Sequence, residues 1–240
     1  MFKRIFHIPG LAKDTKPRAA YNRWAGSYDQ QPDNLMLALD EQVFNELLEN
    51  ISLVNQRIVD IGCGTGRHWG KILEQNPAEL EGFDVSEGML RQLRNRFPGA
   101  TTYLTKGFLL PEKKAASADI IISTLMVAHI KKIELALEEW NRILKSGGFV
   151  LITDFHPQML SEGGKRSFKE GNKTVFIRNY VHLTQKIKDL SSQMNWELLR
   201  FIEKIADETV LHFYEKQSAL DLYEKIKGKP LIYGMLLQKK

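Results

Sequence analysis

Val59-Asp60-Ile61-Gly62-Cys63-Gly64-Thr65-Gly66-Arg67-His68, followed by Gly82-Phe83-Asp84-Val85-Ser86, is the stretch on which the fold turns. Ile58, Val59 and Ile61 form a short apolar run that ends in three glycines at alternate positions. Such a run reads as a buried parallel strand turning tightly into a helix. The glycines let the backbone approach a ligand closely, and the first amides of the following helix are free to meet an anionic group. Asp84 lies 20 positions after Gly64, at the end of a second apolar strand, where its carboxylate can accept both hydroxyls of a ribose. The pattern is that of a nucleotide-type cofactor site.

The glycine spacing separates two cofactor classes. Dinucleotide sites use G-x-G-x-x-G, whereas Gly62, Gly64 and Gly66 give G-x-G-x-G. With Asp60 ahead of the first glycine and Cys63 inside the loop, the stretch resembles the first motif of the class I S-adenosylmethionine-dependent methyltransferases. Three later segments extend the resemblance over roughly residues 56 to 154. Ala118-Asp119-Ile120-Ile121-Ile122-Ser123 is similar to that family's fourth-strand motif. Leu125 to Ile130, with His129, is similar to the segment after it, and Trp140-Asn141-Arg142-Ile143-Leu144-Lys145-Ser146-Gly147-Gly148 to the helix and glycine turn before the fifth strand. The resemblance implies a Rossmann-like α/β fold: a seven-stranded, mostly parallel sheet with an antiparallel last strand and helices on both faces.

Composition fits a cytoplasmic enzyme. A chain of 240 residues buries one substantial core, and no apolar stretch is long enough to span a bilayer. The start, Met1-Phe2-Lys3-Arg4-Ile5-Phe6, lacks the continuous apolar region of a secretory signal. Cys63 is the single cysteine, which excludes an internal disulfide; a small loop residue beside the cofactor is the reading preferred over a nucleophile. The net charge of +5 is spread along the sequence, and its tightest Lys pairs have no aromatic neighbours of the kind that line a nucleic-acid groove. A solvated surface is expected, with no nucleic-acid partner and no stable membrane insertion.

The chain reads as one domain with four parts. Residues 1–55 form an N-terminal helical lid, with Tyr21, Trp24, Ala25 and Tyr28 at helical spacing over 18–31 and a second helix over 35–48. Residues 56–154 form the cofactor-binding core, with strands near 57–61, 80–84, 101–105, 118–123 and 148–154 and helices over 66–75, 86–97 and 132–144. Such alternation implies a parallel sheet covered on both faces. Residues 155–195 are a substrate-side insert whose segment 157–173 breaks the rhythm before a strand at 175–181 and a helix at 184–194. Residues 196–240 close the fold with strands at 196–205 and 231–237.

The resemblance also assigns roles. Gly62, Cys63 and Gly64, with Asp60 and Gly66 framing the turn, lie against the methionine end of S-adenosylmethionine, whose carboxylate meets helix-start amides. Asp84 holds the ribose; Val85, Ser86 and Met89 border the adenine; Ser123, Thr124 and Leu125 line the site beside the sulfonium. Tyr21, Trp24 and Tyr28 resemble the aromatic segment that folds over the cofactor in many members, with a helix stripe packed on the sheet as the plainer alternative. One departure stands out: after the third strand the family carries an acidic residue following a glycine, and this chain has Thr105-Lys106-Gly107-Phe108. Adenine recognition there rests on backbone groups at Gly107 and on packing by Phe108.

His129, His156 and His182 are candidate general bases, because imidazole titrates near neutrality. His156 draws notice because alternation along an extended chain sets it on the side of Asp154. For each of the three, a structural histidine that caps a turn or bonds within the core is the plainer reading, and their separation argues against a metal centre. His7, His68 and His212 read as peripheral or structural. The expected reaction is in-line transfer of a methyl group to a small molecule, with oxygen slightly preferred over nitrogen or carbon, releasing S-adenosylhomocysteine. The alternatives are a binding or scaffold protein of this fold without the reaction, a nicotinamide-dependent oxidoreductase, and a methyltransferase acting on protein or RNA.

Overall fold

A computed structural model of the chain describes residues 14–240. The charged and apolar start at residues 2–6 and His7 lie outside the described residues. The sheet has seven strands: β1 (Arg57–Ile61), β2 (Glu79–Asp84), β3 (Thr101–Leu104), β4 (Ala118–Thr124), β5 (Leu144–Phe155), β8 (Trp196–Ile205) and β9 (Pro230–Lys239). Strands β6 (Ser167–Glu170) and β7 (Lys173–Phe176) form a separate antiparallel hairpin.

Sheet order is β3-β2-β1-β4-β5-β9-β8. The first five strands pair in parallel, and β9 runs antiparallel between β5 and β8. The order reverses beside β1, so the carboxyl ends of β1 and β4 splay apart there and open the crevice in which open α/β sheets bind ligands. Strands β1 and β4 are buried almost throughout because helices cover both faces. On one face lie α2 (Leu35–Leu48), α3 (Trp69–Glu74) and α4 (Glu87–Arg96), whose apolar residues join one core cluster; α5 (Ile133–Ile143) and α7 (Thr184–Gln193) supply the other.

Local chemistry accounts for the element boundaries. Pro17 opens α1 (Pro17–Trp24), where its missing N–H costs nothing. Asn34 caps α2 by accepting from the amides of Met36 and Leu37, and Ser86 caps α4 by accepting from Met89. The helix expected over 18–31 stops at Trp24 and tightens into a 3₁₀ turn at Ala25–Ser27. The helix expected from 66 begins only at Trp69, because Gly66 is still in the glycine turn with φ +72°.

The strand near 148–154 begins earlier, at Leu144, and a register shift against β4 carries it round Gly147 at φ +78°. The strand expected over 175–181 ends at Phe176. Beyond it Ile177 makes one isolated parallel bridge with Thr15 and donates to the Arg166 carbonyl, and Tyr180 N–H donates to Ala128, so the strand does not continue as a ladder. The segment 157–173, read as a break, contains α6 (Pro157–Ser161) and β6. Two short helices went unread between the closing strands, α8 (Leu211–Lys216) and α9 (Leu220–Ile226), which bury Tyr214 and Tyr223 against the core. No helix among the described residues is long and apolar enough to cross a membrane.

Candidate functional site

A cavity of about 380 Å³ opens at the carboxyl ends of β1, β2 and β4, within the size range of small-molecule sites. Its floor is the glycine turn. Gly62 and Gly64 take φ of +78° and +54°, conformations that side-chain-bearing residues rarely adopt. A Cβ on Gly62 would lie 2.5 Å from Met126 Cγ, so this glycine permits close packing under the turn. A Cβ on Gly64 would meet only the Gly62 carbonyl, at 4.0 Å, so its absence keeps the backbone open to whatever fills the cavity.

Asp84 faces the cavity. One carboxylate oxygen accepts from Gly64 N–H at 3.0 Å and the other from Ser86 N–H at 2.8 Å. Burial pushes its pKa up to about 6 against the pull of these amides. A half-buried acid with lone pairs left over and a raised pKa is an acceptor waiting for donors, which a ribose diol supplies. Val85, Met89, Gly107 and Phe108 line the same end. The Thr105 hydroxyl donates to the Gly107 carbonyl at 3.0 Å and shapes the turn where the family's acid is lacking. Thr124, Leu125, Tyr21, Tyr28 and His129 complete the expected residues that reach the cavity. S-adenosylmethionine therefore fits this chain: polar acceptors at the ribose, apolar walls for the adenine, and an accessible backbone.

Several expected residues lie elsewhere. Asp60 sits behind the turn, where it accepts from Trp69 Nε1–H at 2.8 Å; its other oxygen has no partner, and burial raises its pKa to about 6. Cys63 turns into the core against Gly82, whose added Cβ would come within 2.8 Å of the sulfur. Burial raises its thiol well above the ordinary value, which disfavours the thiolate that a nucleophile needs. Gly66 meets Trp69 and Leu93, not the cavity. Ser86 caps α4, and the Ser123 hydroxyl is buried without a partner. The amides of Gly62 and Cys63 both reach the Phe83 carbonyl, that of Gly64 reaches Asp84, and that of Gly66 reaches Cys63. The turn thus spends these four amides internally.

The histidines part company. His156 is nowhere near the cavity lining: its Nδ1 accepts from Gln158 N–H at 3.2 Å as the cap of α6, and its Nε2 lies 2.8 Å from Glu203. Asp154, on its own, pairs with Arg166 at 2.7 Å and accepts from Ala128 N–H. The strand ends at Phe155, so alternation no longer relates the two. His182 donates to the Ile130 carbonyl at 2.7 Å and braces the loop from outside. Both are structural, and neither is placed to act as a base.

Among the described histidines, His129 alone lines the cavity. Its Nδ1 is 2.9 Å from the Arg178 carbonyl, which only accepts, so Nδ1 carries the proton. Nε2 then accepts from the Tyr21 hydroxyl at 2.8 Å and from Arg166 at 3.0 Å. Burial, reinforced by Arg166, lowers its pKa to about 3. A neutral imidazole with its acceptor nitrogen already engaged is a poor proton acceptor, and the geometry makes His129 a holder of Tyr21.

Arg166, which the sequence reading missed, ties this corner together: it bonds Asp154, the Tyr21 hydroxyl and the carbonyl of Leu125, a buried residue at φ +52°. Arg166 is buried, with the Phe155 ring 4.4 Å from its guanidinium carbon. No local motif marks it; only the hairpin brings it here. The N-terminal segment closes the roof. Asn22 accepts from the Ser86 hydroxyl and Gly88 N–H at 2.9 and 2.8 Å, and Asp29 accepts from the Thr65 hydroxyl at 2.8 Å. Beneath the roof, buried Asp40 gathers Arg67, His68 and Thr153 and pins α2 to the turn and to β5. No group of acids, histidines and cysteines among the described residues is arranged to hold a metal.

Comparison with known proteins agrees with this geometry. Residues 59–152 match the family model described as a methyltransferase domain. The chain is 26% identical over 231 residues to an uncharacterised methyltransferase of Emericella nidulans, with 80% of each covered. It is 30% identical over 168 residues to the malonyl-[acyl-carrier protein] O-methyltransferase of Serratia marcescens, covering 70% of this chain and 63% of that one. It is 24% identical over 155 residues to a ubiquinone/menaquinone biosynthesis C-methyltransferase of Campylobacter jejuni, covering 60% and 66%. Among solved structures, an S-adenosylmethionine-dependent methyltransferase from Mesorhizobium loti superposes with a TM-score of 0.63 at 16% identity, over 82% of this chain and 97% of that one. The glycine turn, the acid closing β2 and the strand order converge with these matches and support a class I S-adenosylmethionine-dependent methyltransferase.

Proposed function

We propose that this methyltransferase acts on a small molecule, with an oxygen acceptor slightly preferred. The observation that carries the reading is the shape of the site. The cavity is roofed by the N-terminal segment, through Asn22 on α4 and Asp29 on the glycine turn, and walled by residues that follow the hairpin. A roofed cavity admits a compact acceptor far more readily than a folded protein or a duplex. The O-methyltransferase relative supports an oxygen acceptor; the C-methyltransferase relative is why the preference is slight.

In this reading Asp84 takes the ribose hydroxyls, and Val85, Met89 and Phe108 hold the adenine. Leu125, Tyr21 and Tyr28 face the sulfonium, which supplies an activated methyl group and needs no metal. An aromatic face beside a sulfonium is worth about 0.5 to 2 kcal/mol through cation–π attraction. Proton removal is not assigned to any histidine. Alignment and exclusion of water carry the reaction, and well-oriented pairs reach effective molarities on the order of 10⁵ to 10⁸ M.

The test is a screen of hydroxylated, carboxylic, amino and carbon-acid metabolites against a protein extract and total RNA, reading S-adenosylhomocysteine release. Turnover on a metabolite supports the proposal. Turnover confined to the protein or RNA fraction contradicts it.

A further inference from the structure

We infer that the methyl acceptor is anionic and that its carboxylate or phosphate is held by Lys16, Arg18, Lys131 and Arg178; this rests on the small-molecule reading of the same cavity. These four line the cavity on the side of Tyr21 and His129. Far apart in sequence, they are brought together by backbone bonds. Thr15 N–H donates to Phe176 and Arg178 N–H to Thr15, which fastens the segment of Lys16 and Arg18 to that of Arg178. Tyr180 N–H donates to Ala128, and the Arg178 carbonyl accepts from His129, which fastens both to the segment of Lys131.

Lys16, Arg18 and Lys131 are exposed and Arg178 is half-buried. Among the described residues, none of the four side chains has an ion-pair or hydrogen-bond partner. Neighbouring acids are taken elsewhere: Asp14 by Lys165, Glu134 by Lys186, Glu170 by Arg23 and Asp154 by Arg166. Among the described residues, Asp84, at the ribose end, is the one acid lining the cavity.

Four unneutralised cations at one mouth create a positive potential that gathers anions. The cofactor does not remove it. Its sulfonium adds positive charge, and its single carboxylate pairs with one of the four at most. An anionic acceptor satisfies the remainder and reaches the methyl group with its charge anchored at the rim. A cavity of about 380 Å³ favours a small anion over a nucleic-acid backbone.

The experiment titrates the full chain, saturated with S-adenosylhomocysteine so that the cofactor's own carboxylate is in place, with succinate, inorganic phosphate and neutral succinamide at low salt. Succinate or phosphate is expected to bind and succinamide not to; which anion binds tells carboxylate from phosphate recognition. Lys131→Gln with Arg178→Gln, assayed at saturating S-adenosylhomocysteine, should weaken that binding about tenfold or more, as for loss of paired charges at an interface, with the melting temperature little changed. Lys131→Arg with Arg178→Lys should retain it. Succinamide binding as well as succinate, an unchanged double variant, or preferential binding of a short single-stranded oligonucleotide would overturn the inference while leaving the methyltransferase reading intact. Failure of S-adenosylhomocysteine itself to bind would instead overturn the site on which both rest.

Discussion

The two ends of the cavity are built by different means. At the ribose end the functional groups come from neighbouring stretches: Gly62 and Gly64 at the end of β1, and Asp84 at the end of the adjacent strand, joined by one bond from Gly64 N–H. At the acceptor end, Tyr21 meets His129 across 108 positions, and Arg166 meets Tyr21 across 145. The first end is held by backbone conformation, the second by buried side chains. A backbone-built site tolerates change around it and fails when a glycine is replaced. A side-chain-built site fails when its central charge is removed.

The largest expected effect tests that contrast at the acceptor end. Arg166→Ala leaves Asp154 buried without its cation, and breaking such a pair costs about 3 to 5 kcal/mol. Denaturant unfolding should register the loss, with S-adenosylhomocysteine affinity changing much less; an equal loss of affinity would erase the distinction between the ends. Gly62→Ala should cost about 2 to 4 kcal/mol, from a left-handed backbone and overpacking against Met126. It should abolish cofactor binding, whereas Gly64→Ala, whose Cβ meets open space, should mainly weaken it.

Asp84→Ala should weaken S-adenosylhomocysteine binding by about 1.5 to 3 kcal/mol, the range for hydrogen bonds to a charged group. Unchanged affinity would remove Asp84 from the ribose. The same residue sets a pH dependence. Its folded pKa, pushed up to about 6, lies above the usual carboxylate range, as does that of Asp60. Between the unfolded value and about 6 the folded chain binds more protons, so stability without cofactor should fall as pH rises through this window. Cofactor affinity should run the other way, constant near neutrality and dropping as pH falls through about 6, because the ribose needs the ionised acceptor. The smallest effect is Tyr21→Phe, about 0.5 to 1.5 kcal/mol for each of the hydroxyl's bonds to His129 and Arg166, read as a loss of turnover with a small drop in melting temperature.

The same contrast explains what could be read from the sequence. Strand order, the glycine turn and Asp84 are legible because each is a short pattern whose spacing is dictated by backbone geometry. Cys63, Asp60 and Ser86 lie in that pattern, yet their side chains serve the core and a helix cap. Spacing locates a residue without saying which way it points. Arg166 and Arg178 carry no pattern at all: one precedes a hairpin and the other follows it, and only the folded chain brings them beside His129. His156 misled because alternation was extended one residue past the end of β5, where the chain turns into α6. The four rim cations look scattered in sequence for the same reason.

A crystal structure of the full chain with S-adenosylhomocysteine tests the two-ended cavity most directly. Both ribose hydroxyls are expected on the Asp84 carboxylate, the adenine between Phe108 and Met89, and the sulfur facing Tyr21 and Leu125 with the cationic rim beyond it. A ribose bound away from Asp84, or a sulfur turned from the Tyr21 corner, would contradict the division of the cavity into a cofactor end and an acceptor end.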